Sequence, residues 1–375
     1  MLIETHIIQN FAPSNLNRDD TNAPKECEFG GVRRARISSQ CLKRAMRMAP
    51  VFAKTTQVPL GMRTKYASRV IGEYLKAKVK PDDEINQAIP LMLEAYLSKL
   101  DSKAKNEPKT AVLLYLSPSE VKKISEAMLE NRDALLEKEK KGKDAAEAIA
   151  KQLTRSASGI TSAPDIALFG RMMAEKPDLS LDAACQVAHA ISTHRTTFEM
   201  DYFTAVDDLN QKEETGAGML GFVAFNSACF YRYANIHWEQ LVKNLAGDEA
   251  LAKKTVEAFL RAAAEAVPSG KQTSFAANNP PSFLLATARE SNTGWSLANA
   301  FEQSVRYEAD GGYVAPSILA LDRYWGRLQS MYPGDGIKAA AAVCLDGKDV
   351  LDHLAGYATG NLEGLVQTIT AVLTA

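Results

Sequence analysis

Seven cations lie between positions 25 and 47 of this 375-residue chain: Lys25, Arg33, Arg34, Arg36, Lys43, Arg44 and Arg47. Only Glu26 and Glu28 oppose them, while the formal charge of the whole chain is −1. Ordinary surfaces mix their signs, and a local cluster of Lys and Arg is the electrostatic footprint of nucleic acid. Ser38 or Ser39 can cap a helix opening at Ile37-Ser38-Ser39-Gln40, whose free N–H groups and dipole favour a phosphate. Gly30 and Gly31, just upstream, permit a close approach of backbone to ligand. On the helix, Lys43 and Arg47 are four apart and share a face, with Leu42, Ala45 and Met46 as the opposite, buried stripe. Arg33, Arg34 and Arg36 alternate along a strand, so at least one of its faces is expected to be wet or bound to anions. No GxxxxGK[ST] loop occurs, which points to the phosphates of a polymer and away from a mononucleotide.

The elements that must position these groups read as α+β. Leu2 to Asn10 alternates as a strand, with Ile3, Thr5 and Ile7 on one side, and leads through the polar segment Asn15 to Lys25 into the basic helix. From Pro59 to Leu153 the pattern is helical: Gly61 to Lys76, Asp83 to Leu100, Ser119 to Leu129 and Lys143 to Leu153, with a short strand at 111–116. Pro118-Ser119 followed by Glu120 reads as a helix start. The lysines of KEKKGKD at 138–144 alternate with acids and read as a solvated helix connection. DIALFGRMM at 165–173 predicts a strand, and Leu181 to Thr193 a helix. Tyr202 to Ile236 reads as two strand-like arms around the polar, glycine-rich tip KEETGAGMLG, the second arm lying inside a sheet. Asp248 to Ala266 is an amphipathic helix, Ser282 to Arg289 a strand, and helices follow from Ser296, from Pro316 to Gln329 and near Leu362 to Leu373. Strand, helix, strands, helix, strand is the ferredoxin-like order.

Composition bounds the rest. A hydrophobic content of 46% over 375 residues allows a large core, in one domain with insertions or in two domains. Cys27, Cys41, Cys185, Cys229 and Cys344 are widely spaced with no CxxC pair, which argues against a zinc ribbon or a disulfide framework. Reduced thiols, no basic, apolar leader and no run of eighteen apolar residues together predict a cytoplasmic protein without a membrane partner.

NLNRDD, FGGVRRARISSQCLKRAMR, AHAISTH with DYFTAVDDL, and FYRYANI resemble the backbone subunit (CasC family, RAMP superfamily) of the type I-E CRISPR surveillance complex, Cascade. The likeness is densest at positions 14–47 and 185–236, returns at VPSGKQTSFAANNP, SLANAFE and APSILALDRYW, and thins between about 50 and 160. It implies a right-hand shape: a ferredoxin-like (RRM-like) palm, a helical fingers insertion and a β-hairpin thumb. In those terms residues 1–58 begin the palm and hold the basic helix, 59–160 are the fingers, 161–198 return to the palm, 199–222 are the thumb, and 223–375 complete the palm and add C-terminal helices. The resemblance also implies a non-catalytic scaffold for antiviral defence that polymerises along a CRISPR RNA and presents it in segments to target DNA. Its partners are then the guide RNA, DNA through the guide heteroduplex, neighbouring copies of itself, and the large, small, cap and repeat-processing endoribonuclease subunits. The positions matching the family's backbone contacts are Arg18, Lys25, Ser38, Gln40, Lys43, Arg44 and Arg47, with Lys271 as a further phosphate ligand. Arg34 and Arg36 join them on charge alone. Met172 and Phe203 match the apolar residues that flank a displaced base; without the resemblance, apolar side chains beside strand patterns read as core.

The competing chemistry is metal-dependent RNA cleavage through Asp19 and Asp20, which relatives in other CRISPR types place on a loop of this subunit, with His189, His194, Asp207 and Asp208 as further ligands. His189 and His194 are five apart and out of HExxH register, and a lone helix histidine is ordinarily structural. Neither a metal nor a cofactor is expected.

Overall fold

The computed structural model describes residues 1–375 apart from 79–83, 105–106, 138–139, 206–218, 292, 308–311, 335 and 374–375. The chain divides into two compact units, one of residues 1–52, 186–237 and 256–375, the other of residues 53–185 and 238–255. Mixed helix and antiparallel sheet is the α+β class that the sequence predicts. Among the described residues no helix is long and apolar enough to cross a membrane.

The first unit is built on a sheet whose central strand is Leu2–Ser14. It pairs antiparallel with Phe283–Arg289 on one side and with the long strand Met219–His237 on the other. Ile337–Cys344 extends the first side, and Ala190–Ser192, Val32–Ile37 and Glu26–Phe29 extend the second. Glu199–Ala205 pairs with the beginning of the long strand as one arm of a hairpin. Being central, Leu2–Ser14 is buried on both faces, so Glu4 and His6 are buried as completely as Ile8. A buried charge needs partners. Glu4 accepts hydrogen bonds from the Tyr233 hydroxyl at 2.8 Å and Trp295 N at 2.6 Å, and pairs with Arg289 Nε at 3.1 Å. His6 lies 2.9 Å from the Tyr231 hydroxyl, and burial holds its pKa down to about 4, so the ring is neutral. The core on this face joins Ile8, Tyr231, Phe283 and Leu285 to Ile318, Leu321 and Trp325 of the helix Val314–Met331.

The second unit is mainly helical. Ala67–Lys76, Ile89–Tyr96, Pro118–Glu130 and Lys140–Ala157 contribute Ile71, Leu75, Met92, Leu93, Ile124, Met128 and Ile149 to one core. Pro118–Glu130 starts on a capping box: the Ser117 hydroxyl accepts from Glu120 N at 3.1 Å and the Glu120 carboxylate from Ser117 N at 2.7 Å.

Several expected elements differ. Residues 165–173 do not form a strand. Pro164–Phe169 is a helix with proline at its first position and Gly170 (φ 70°) at its end, and Asp165 turns inward to accept from Gly61 N and the Tyr115 hydroxyl. The helix expected at Leu181 to Thr193 is replaced by the short strands Cys185–Val187 and Ala190–Ser192, because sheet pairing with Met219–His237 overrides alanine's helix preference. Gly61 to Lys76 begins instead as the strand Met62–Thr64, paired with Leu114–Leu116. Asp83 to Leu100 reduces to a 3₁₀ turn, Glu84–Ala88, and the helix Ile89–Tyr96. The helix from Ser296 is only the 3₁₀ turn Leu297–Phe301. The alanine-rich strand Ile337–Cys344 has no counterpart in the sequence reading. Asp207, Asp208 and most of the hairpin tip lie outside the described residues.

Candidate nucleic-acid interface

The basic helix runs Ser39–Met48 and is capped as expected by Ser38, whose hydroxyl accepts from Cys41 N at 3.3 Å. Ser38 N donates in turn to Asn17 Oδ1 at 2.8 Å, and Ser39 N to His189 Nδ1 at 3.3 Å. Leu42 and Met46 form the buried stripe, but Arg47 is buried beside them. Arg47 therefore does not share a wet face with Lys43. Gln40 and Arg44, also four apart, are exposed, with Lys43 half-buried.

The segment before the helix is held by its own polar side chains. Asn15 Nδ2 donates to Asn22 O at 2.9 Å and Ala224 O at 2.7 Å, and Lys25 N to Asn17 O at 2.9 Å. Asp19 Oδ1 accepts from Thr21 N, Thr21 Oγ1 and Ala23 N at 2.8–3.0 Å. These bonds, the Thr21 hydroxyl first, hold the Asp19 carboxyl below the usual carboxylate range. Its chemistry is that of a turn-forming aspartate. Among the described residues no group of three or more His, Cys, Asp and Glu side chains is placed to hold a metal ion.

The arginine strand does not present a row of free cations. Gly30 and Gly31 have φ of 61° and 72° and close a two-residue hairpin between Phe29 and Val32. The close approach they permit is to the protein's own chain, since a Cβ on Gly30 would lie 1.8 Å from Glu302 O. Arg34 is completely buried. Its guanidinium donates to the carbonyls of Phe29, Ser192, Phe301 and Glu302 at 2.8–3.3 Å. The acceptors that meet this arginine are neutral backbone carbonyls, and at full burial Arg34 is removed from any surface that a phosphate could touch. Arg33 is exposed but paired with Glu26 at 2.6 Å. Arg36 donates to Glu26 O at 3.2 Å and to His189 Nδ1 at 3.1 Å. With two N–H groups on Nδ1, His189 carries its proton on Nε2; burial, then Arg36 and Lys25, lower its pKa and keep it neutral.

Arg18 and Arg44 converge on a cleft of about 750 Å³, whose lining also includes Asn17, Met48, Pro268 and Gly270. A Cβ on Gly270 would meet Leu16 O at 2.3 Å, so only glycine lets the PSGKQ loop lie against this segment. Lys271 follows in the left-handed region at φ 51°, half-buried at the start of the turn Gln272–Phe275.

The two apolar candidates are not core. Met172 is 84% exposed and Phe203 41%. Phe203 faces Gly221 across the hairpin, its ring occupying the space where a Cβ on Gly221 would come within 2.3 Å. On the opposite face Met200, Tyr202 and Phe222 are exposed, with the Tyr202 and Phe222 rings 6.0 Å apart. His194 is buried, donates from Nδ1 to Arg195 O at 2.9 Å, accepts from Cys229 N at 3.1 Å and stacks on Tyr313, a structural role.

Sequence reading missed Asn17 and His189 as organisers of the helix start, although Asn17 sits inside NLNRDD. It missed the exposed Met200, Tyr202 and Phe222 because alternation alone does not say whether a strand's faces are covered.

No curated protein matches the sequence. The chain is similar over its full length, and over all of the other chain, to one from a solved CRISPR RNA-guided surveillance complex, pre-nicking, with 31% identity and a TM-score of 0.86. A chain of a second CRISPR RNA-guided surveillance complex is 27% identical, with 99% of each chain covered and a TM-score of 0.76. A family model described as CT1975-like protein matches residues 3–369, and the chain therefore belongs to the CT1975-like protein family.

Proposed function

We propose that the chain is the guide-binding backbone subunit of a type I-E Cascade complex, a non-catalytic scaffold that polymerises along one CRISPR RNA and presents it in segments for pairing with target DNA. What carries the reading is the convergence of exposed Arg18 and Arg44 with the Gly270 loop on one cleft, in a chain similar from end to end to members of RNA-guided surveillance complexes. Cations there hold phosphates without reading sequence, which suits a guide whose own base pairing supplies specificity. The strand order Phe283–Arg289, Leu2–Ser14, Met219–His237, Ala190–Ser192, all antiparallel, supports a ferredoxin-like palm. The Glu199–Ala205 arm with Phe203 exposed supports a thumb that stacks on a base, since aromatic faces stack on any base. Cleavage through Asp19 and Asp20 has no specific observation in its favour, Asp19 being engaged in its own turn.

The test is co-expression with a repeat-spacer RNA and the other complex subunits, purification through a tag on one of those, and native mass spectrometry. Several copies on one RNA of discrete length is the expected result, lost in a Lys43→Glu, Arg44→Glu double variant. A monomer without RNA that degrades labelled RNA in Mg²⁺ overturns the proposal.

A further inference from the structure

Arg232 is a buried cation with no acid beside it. It sits opposite Ile7 where Met219–His237 pairs with Leu2–Ser14, is 5% exposed, and among the described residues no carboxylate pairs with it. Burial alone draws its pKa down to about 10, so the guanidinium stays charged near neutral pH. Its Nε has no hydrogen-bond partner among the described residues, and its Nη1 donates to Gln9 Oε1 at 2.5 Å. Burying a charge without a counter-ion is unfavourable, and an apolar side chain of similar length would fill the same space. Packing therefore does not account for an arginine here.

The bond to Gln9 leads out of the sheet. An arginine has donors only, so it fixes the buried Gln9 carboxamide with its oxygen toward Arg232 and its N–H groups away. Gln9 Nε2 accordingly donates to Asn279 O at 2.7 Å, and Asn279 Oδ1 accepts from Ala12 N at 3.3 Å. Just before Asn279 the backbone is strained. Lys271 and Ala276, non-glycine residues with φ of 51° and 46°, bracket the turn Gln272–Phe275 in the left-handed region. Gln272 Nε2 ties that turn to Pro268 O at 3.0 Å and Ala277 O at 3.3 Å. Such conformations persist only where the surroundings over-determine them, and they gather at ligand clamps. Lys271 itself pairs with no carboxylate among the described residues.

We propose that Arg232 is a positioning residue for the guide RNA: through the oriented Gln9 carboxamide and Asn279 it fixes the turn that presents Lys271 to a phosphate of the bound strand. Lys271 touches the RNA, and Arg232 acts only through the chain of hydrogen bonds. The assignment rests on the function proposed above. It explains why a donor-only side chain stands at a position where an apolar one would pack: with an apolar neighbour the carboxamide loses the bond that sets its orientation.

The test measures binding of the full chain to a labelled repeat-spacer RNA across a range of salt, for Arg232→Met, Lys271→Ala and the two combined. Each single variant is expected to weaken binding severalfold and to lower the slope of log affinity against log salt by about one. The combined variant is expected to bind no more weakly than Lys271→Ala alone, because the relay then has nothing to position. Should Arg232→Met lower the thermal midpoint, Gln9→Leu with Arg232→Met replaces both hydrogen-bond partners by apolar groups and reads the same coupling. Failure of that variant to fold makes Arg232 structural and overturns the proposal. Additive losses in the combined variant, an unchanged salt slope in Arg232→Met, or Lys271→Ala without effect overturns the relay and leaves the scaffold standing. An unsubstituted chain that binds no RNA overturns both.

Discussion

The basic segment and the hairpin depart from their sequence patterns in opposite directions. Between positions 25 and 47 the sequence displays a block of cations, yet Arg34 is dry and bound to four carbonyls, Arg47 is buried, and Arg33 is paired with Glu26. Between 199 and 225 the sequence displays alternating apolar residues fit for a core, yet Met200, Tyr202, Phe203 and Phe222 stand exposed. Charge is no guarantee of solvent, and apolarity is no guarantee of burial. An arginine can be satisfied by carbonyls as well as by phosphates, and a strand pattern is buried only where something covers it.

The sharpest way to break this contrast is to treat neighbouring arginines alike. Arg34→Met removes the donors from four carbonyls at a fully buried site, and a loss of about 3 kcal/mol or more is expected in denaturant unfolding. A loss below about 1 kcal/mol would mean that Arg34 is not structural, and would return it to the pool of RNA ligands.

The buried row on the central strand gives an effect of similar size that pH reveals. His6 has a folded pKa of about 4 against an ordinary 6.5, so between those values the unfolded chain binds a proton that the native one does not. Stability is therefore expected to fall as pH drops from 6.5 toward 4, by roughly 3 kcal/mol from this group, and to lose nothing more from it below 4. His6→Gln should flatten that window in unfolding curves taken across pH.

Arg44→Glu tests the wet side. Stability should stay within about 0.5 kcal/mol of the unsubstituted chain. RNA affinity should fall about tenfold or more, and the slope of log affinity against log salt should drop by about one per contact removed. An unchanged salt slope would take Arg44 off the RNA.

How much of this was legible follows the physics of each signal. The basic helix with its Ser38 cap, the strand from Leu2 and the helix start at Pro118 are local devices, and local spacing shows them. The short strands at 185–187 and 190–192 and the alanine-rich strand at 337–344 exist because a neighbouring strand pairs with them, which no window of sequence contains. Asp165 looked like part of a strand because nothing nearby announces that Gly61 and Tyr115 converge on it. For the site, the loop and helix carrying Arg18 and Arg44 were readable. The dry state of Arg34 was not, since its partners Ser192 and Phe301 are more than 150 residues away.

Gly221 gives a smaller and more specific effect on the apolar side of the comparison. Gly221→Ala puts a methyl group where the Phe203 ring lies, and because the ring is partly exposed it can swing away at little cost in stability. Copy number on the RNA should be unchanged, while chemical probing of the bound guide should lose its regular pattern of displaced bases. Retention of that pattern would separate Phe203 from base displacement.

The smallest effect is expected at Arg33, and it tests whether exposure alone makes a cation a ligand. Its side chain is 71% exposed, more than enough for a phosphate to reach, but Glu26 Oε2 sits 2.6 Å away. A surface pair of this kind contributes about 0–1 kcal/mol to stability, and to an approaching RNA its two charges nearly cancel. Arg33→Ala is therefore expected to change RNA affinity less than about twofold and the salt slope by much less than one. Glu26→Gln, by leaving the arginine uncompensated, should instead strengthen binding at low salt. If Arg33→Ala weakens binding as much as Arg44→Glu, Glu26 is displaced when RNA binds. The charge count of the sequence would then describe this strand better than the pairing seen in the folded chain.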